Sequence, residues 1–140
     1  MANLTAMTAR QTRNDSLASY ATYTCTTGTT IYEGSLVMVT SATNLALPGA
    51  DTTGCAFVGI ATNTVVSAAA GALIHVKYGH EELLGTNASL AAVTGASCVV
   101  FDSDLVTTVA AGTNDVKVGE VVQPVGTTAA WVKIRSAATL

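Results

Sequence analysis

Four residues of this chain lie close enough in sequence to suggest a metal centre: His75, His80, Glu81 and Glu82. Imidazole nitrogens and carboxylate oxygens are ordinary ligands of zinc and its neighbours, and a bound cation could activate water for hydrolysis. A metal-dependent enzyme built on His75 and His80 is therefore one reading of the chain. Their spacing speaks against it. His75 falls within a strand pattern, whereas His80 lies beyond Gly79 in the segment that follows. No shared helix face makes the two rings converge. The bland alternative places His75 on a half-exposed strand face and leaves Glu81 and Glu82 solvated.

Other chemistry is thinner still. Asp102 and Asp104 could act as an acid–base pair, but they flank a turn, where Asp is favoured for local backbone hydrogen bonds. Acid–base work needs one carboxyl raised by burial or by a like charge, and calcium needs six to eight oxygens. Serines and cysteines occur without a nucleophile elbow or a His placed to activate them. Gly59 and Gly119 sit inside strand patterns, so they mark bulges or close backbone approaches rather than a phosphate loop. The expectation is no catalytic set, no metal, no cofactor and no small-molecule substrate.

The elements that carry these residues say nearly the same thing twice, about sixty residues apart. Gly34-Ser35-Leu36-Val37-Met38-Val39-Thr40 is matched by Gly95-Ala96-Ser97-Cys98-Val99-Val100-Phe101. Asn44-Leu45-Ala46-Leu47 is matched by Asp104-Leu105-Val106-Thr107, and Phe57-Val58-Gly59-Ile60-Ala61 by Lys117-Val118-Gly119-Glu120-Val121. Ala72-Leu73-Ile74-His75-Val76-Lys77-Tyr78 is answered by Thr128-Ala129-Ala130-Trp131-Val132-Lys133-Ile134. Ala, Val and Thr make up almost half of the 140 residues, and only 5% are aromatic. Val and Thr are β-branched and suit a pleated surface. These features predict an all-β fold: a small barrel or sandwich built from two similar strand-rich units, about 31–79 and 95–135. Strands are expected from Tyr20 onward and near 36–40, 44–47, 56–61, 73–78, 97–101, 105–109, 116–122 and 130–135. Residues 80–94 read as a connector, with at most one helical turn at 81–84. The β domain spans 20–140 and is preceded by an extended N-terminal arm, 1–19.

Charged residues are 11% of the chain, against about 25% in ordinary soluble domains. A surface of Thr, Ser, Ala and Asn freezes few long side chains when another surface covers it. The reading is an interface, or simply a chain of low charge. A net charge of −3 with no basic cluster argues against nucleic acid. No apolar run approaches a membrane span, and the start shows no basic-then-apolar secretory signal. Cys25, Cys55 and Cys98, an odd number in a reducing cytoplasm, read as small hydrophobes. The arm is either a segment that orders on a partner or a frayed end. Trp131 shares a strand face with Lys133 and Arg135; it is a contact residue, or it caps the barrel edge under the arm. The contact candidates are Leu4, Met7, Arg10, Arg13, Leu17, Tyr20, His75 and Trp131.

The order of these motifs resembles the small capsid decoration, or cement, proteins of tailed bacteriophages, long catalogued as a domain of unknown function. A Gly-led strand ends in an acidic turn at Gly95-Ala96-Ser97-Cys98-Val99-Val100-Phe101-Asp102. Leu105-Val106-Thr107, Val118-Gly119-Glu120-Val121 and Trp131-Val132-Lys133-Ile134-Arg135 follow it. The resemblance covers about 28–136. It implies β-rich subunits, often homotrimeric, made in the host cytoplasm and bound to the outside of an icosahedral head near three-fold positions. There they clamp neighbouring copies of the major capsid protein after the shell expands. A carbohydrate- or surface-binding β module of a phage tail or cell-surface assembly is the alternative; it would call for several exposed aromatics.

Overall fold

The computed structural model describes residues 10–86, 94–100, 105–108 and 116–136. Leu4, Met7, Asp102 and Asp104 lie outside the described residues. The fold is all-β. A two-residue strand, β1 (Thr12–Arg13), and a 3-10 turn, Asp15–Leu17, precede β2 (Ser19–Thr24), β3 (Leu36–Thr40), β4 (Ala46–Pro48), β5 (Cys55–Ala61) and β6 (Leu73–Tyr78). Then come β7 (Glu81–Thr86), β8 (Ser97–Val100), β9 (Leu105–Thr108), β10 (Lys117–Val125) and β11 (Ala129–Ile134).

The two sheets have the same strand order. The first runs β2-β6-β5-β3-β4 and the second β7-β11-β10-β8-β9, with β1 added beside β7. In the second sheet a parallel pairing of β7 with β9 closes the ring into a small barrel. In the first, the parallel bridge Cys25–Ala46 joins the end of β2 to β4 in the same way. The four sequence matches fall on equivalent strands. Equivalent backbone hydrogen bonds accompany them: Gly34 N–H donates to Ala61 O at 2.9 Å and Gly95 N–H to Val121 O at 2.7 Å. Each unit also opens on a strand that the sequence matches leave out, β2 in one and β7 in the other.

The segment expected to be a connector is therefore partly a central strand. Residues 81–86 form β7, not a helical turn, and Glu81 and Glu82 are buried rather than solvated. Adjacent Glu residues disfavour a strand by propensity. Pairing along β11 and the partners described below override that bias.

Packing follows from alternation. Val37 and Val39 of β3 point into the first barrel, with Val58, Ile74 and Val76. Leu36 and Met38 point the other way. With Phe57 and Ile60 they join a cluster containing Leu84, Val118, Val132 and Ile134 of the second barrel. Because β3 is covered on both sides, four of its five residues are buried. Both expected bulges are present. Val58 is an extra residue between the β3 partners Val37 and Met38, and Val118 is an extra residue between the β8 partners Cys98 and Val99. A Cβ on Gly59 would stand 2.8 Å from Lys77 O, and one on Gly119 1.8 Å from Lys133 O.

Candidate interaction surface

The end of the arm lies on the body of the protein. Extended backbone at Gln11–Arg13 pairs with the first half of β7, and Leu83 N–H donates to Gln11 O at 3.0 Å. Charges fasten it. Arg13 Nε donates to Glu81 Oε1 at 2.6 Å and Asn14 Nδ2 to Glu81 Oε2 at 2.7 Å. Lys77 Nζ meets Asp15 Oδ1 at 2.8 Å. Arg10 Nε donates to Gly34 O at 2.6 Å and stands 3.8 Å from Glu82 Oε2. The other oxygen of Glu82 lies 2.8 Å from Nε2 of His80, which is fully buried. Arg10, Glu33, Gly34, Lys77 and Glu82 line a cleft of about 260 Å³ where the arm enters.

Several of these carboxyls titrate low. Burial alone would raise that of Glu81, but hydrogen bonds from Arg13 and Asn14, with the charges of Arg13 and Lys133, outweigh it and leave it below its ordinary range. The hydrogen bond from Lys77, then that from Thr12, does the same for Asp15. Glu120 repeats the pattern: burial opposes ionisation, and Arg135 and Lys117 overcome it. Buried thiols go the other way. Burial pushes Cys98 up to about 12 and also raises Cys25, so neither supplies a thiolate near neutral pH.

The contact candidates separate into two groups. Arg10, Arg13 and Trp131 belong to the strapped side: the Arg13 guanidinium sits 4.3 Å from the centre of the Trp131 ring, while Arg10 turns to Gly34 and Glu82. Trp131 is half-buried, with Arg13 of the arm over its ring. Tyr20 and His75 belong to a different, open face, and Leu17 is exposed in the 3-10 turn that leads to it. Across the β2–β6 ladder Tyr20 stands opposite Lys77, Thr22 opposite His75 and Thr24 opposite Leu73. Tyr20 is 67% exposed, with Leu17 at 58% and Leu73 at 49%. His75 Nδ1 bonds Thr22 Oγ1 at 2.9 Å on this face, while His80 is enclosed by the strap. The structure does not bring the two histidines into one site. Among the described residues no three His, Cys, Asp or Glu side chains are grouped to hold a metal ion.

Sequence reasoning overlooked Glu81, Glu82 and Asp15 as anchors. Their signal was weak, because Glu81 and Arg13 are 68 residues apart and only the folded chain joins them. Compared with known proteins, the chain matches no family model, and no curated protein matches it.

Proposed function

We propose that this chain is a non-enzymatic structural protein of a phage virion, a decoration protein that binds the outside of the head and stabilises the lattice of the major capsid protein. In this reading it acts as a homotrimer. The sequence resemblance supplies the class, and one structural observation supports it. All six Lys and Arg side chains engage groups of their own chain. Arg10, Arg13 and Lys77 fasten the strap, Lys133 donates to Gly79 O, and Lys117 and Arg135 hold Glu120.

A surface whose cations are already engaged offers little to a polyanion. It also loses little solvation and side-chain entropy when a neighbouring protein covers it. The open face of Tyr20, Thr22, Leu73 and His75, with the exposed Leu17 before it, is the part best suited to be covered. Three such faces on one trimer would gain by multivalency, since later contacts form at high effective concentration.

Purified expanded heads lacking the protein provide the test, read by co-sedimentation and by cryo-EM of the decorated particle. Saturable binding is expected, reduced by Tyr20→Ala by about tenfold or more if Tyr20 is an anchoring contact. A folded protein that ignores heads but is retained on a glycan array would replace this reading with the carbohydrate module. Truncation at residue 19 is a poor probe, because it also removes the Arg10–Leu17 strap. Deleting residues 1–9 leaves that strap in place and isolates the contribution of Leu4 and Met7.

A further inference from the structure

Both barrels have an equivalent strand edge beside their first strand, and among the described residues only one of the two is filled. On the second barrel β1 occupies it, with Leu83 N–H donating to Gln11 O. Thr22 stands in the place of Leu83, for it faces His75 across the first ladder as Leu83 faces Trp131 across the second. Cys25 N–H donates to Ala72 O at 2.8 Å, which sets the parity of the β2–β6 ladder. Ser19, Ala21 and Tyr23 therefore exchange hydrogen bonds with β6, and Tyr20 and Thr22 direct their N–H and C=O groups to the opposite edge. His75 agrees: its N–H donates to Asn63 Oδ1 and its C=O accepts from Thr62 N–H, both away from β2. The bridge from β4 reaches this edge only at Cys25. Among the described residues no backbone group pairs with Tyr20 or Thr22 there.

Natural sheets usually protect such an edge with Lys, Pro, a bulge or inward charge. Ser19–Thr24 has none of these, and its ladder with β6 runs without a register shift. The seat also differs in charge from its filled counterpart. Tyr20 takes the place of Glu81 and His75 that of Trp131, so a segment like the Arg13 strap finds neither its carboxylate nor its indole. The edge suits an uncharged strand.

We propose that this edge pairs with the same edge of a second copy of the chain, antiparallel, about a two-fold axis at Ala21. Tyr20 of each copy then faces Thr22 of the other. Both residues present one donor and one acceptor, so the pairing makes four backbone hydrogen bonds and leaves none of these groups over. The two-fold sets the Ser19 end, where Lys77 and Asp15 neutralise each other, against the uncharged Tyr23–Thr24 end of the other copy. The exposed Tyr20 and Leu73 are drawn to the same seam. Such an interface is isologous. It does not depend on the capsid reading, and with the trimer proposed above it would link one trimer to the next.

Amide hydrogen exchange on the full-length chain, followed by NMR at about 20 µM and about 1 mM, tests it in the range expected of a small interface. The Tyr20 and Thr22 amides should exchange at least about fivefold more slowly at the higher concentration. Those of Ala21 and Tyr23 should be protected at both. Thr22→Pro removes a donor that the isolated barrel does not use, and proline is tolerated at such an edge. It should abolish the concentration dependence and the matching rise in mass on sedimentation, as should Tyr20→Lys. Equal exchange at both concentrations overturns the proposal. So does protection already complete at the lower one that vanishes on deleting residues 1–9, since the chain would then be covering its own edge. Binding to capsid heads is a separate measurement, so either idea can fail alone.

Discussion

Gly119 shows how tightly single residues can be constrained here. The bulge at Val118 turns β10 so that its backbone runs against β11, and the Lys133 carbonyl fills the space that a side chain at Gly119 would need. A backbone oxygen held in a ladder cannot move aside as a flexible side chain would. Gly119→Ala should therefore cost about 3 kcal/mol or more, at or above the upper end for overpacking. Gly28, whose φ of +84° is left-handed but whose would-be Cβ has nothing within 4 Å, gives the contrast: conformation without crowding. Gly28→Ala should cost only the left-handed penalty of about 1–2 kcal/mol. Urea unfolding of both variants measures the contrast. Similar losses would show that the close approach at Gly119 is relieved by backbone movement.

At the scale of elements the arm is the most consequential, because it covers an edge of β7, carries two of the chain's six cations to their partners and supplies Asp15 to a third, Lys77 of β6. Its hold depends on pH through Glu81 and Asp15. Both carboxyls titrate below their ordinary values of 4.5 and 3.8 in the folded protein. For a lowered pKa the stabilisation is complete above the unfolded value and is lost as pH falls through the folded one. The strap should stay docked from neutral pH to about pH 5 and loosen only below about pH 4. Trp131, the only tryptophan and the residue beneath Arg13, is a built-in reporter. Its emission should shift to the red in that acid window before far-UV circular dichroism changes. A shift centred above pH 5 would mean that other groups hold the arm.

Across the whole molecule the two barrels are not independent beads. Leu36, Met38, Phe57 and Ile60 of the first lie in one apolar cluster with Leu84, Val118, Val132 and Ile134 of the second. Each barrel separated from the other would expose that face. Unfolding should accordingly be one cooperative transition, with calorimetric and van't Hoff enthalpies equal. Met38→Ala, at the junction, should cost about 2–5 kcal/mol and lower the stability of both barrels together. Two resolved transitions, only one of them moved by the substitution, would show the units to be separable.

The repeats around Gly34 and Gly95, the apolar runs of β3 and β5 and the alternation of β6 and β11 made the doubled all-β plan readable from residue types alone. Local pattern is enough there because β-branched runs, turn glycines and bulge glycines act within a few residues of themselves. The β7 strand was hidden for the opposite reason. Glu81 and Glu82 look like solvent residues until Arg13 and Arg10 bring opposite charge and Asn14 and His80 hydrogen-bond them, and the arm residues come from the far end of the chain. The same holds for the strap over Trp131 and for the edge of β2, which no described segment pairs. Which edge is covered and which stays open depends on contacts between distant segments, and periodicity carries no information about those.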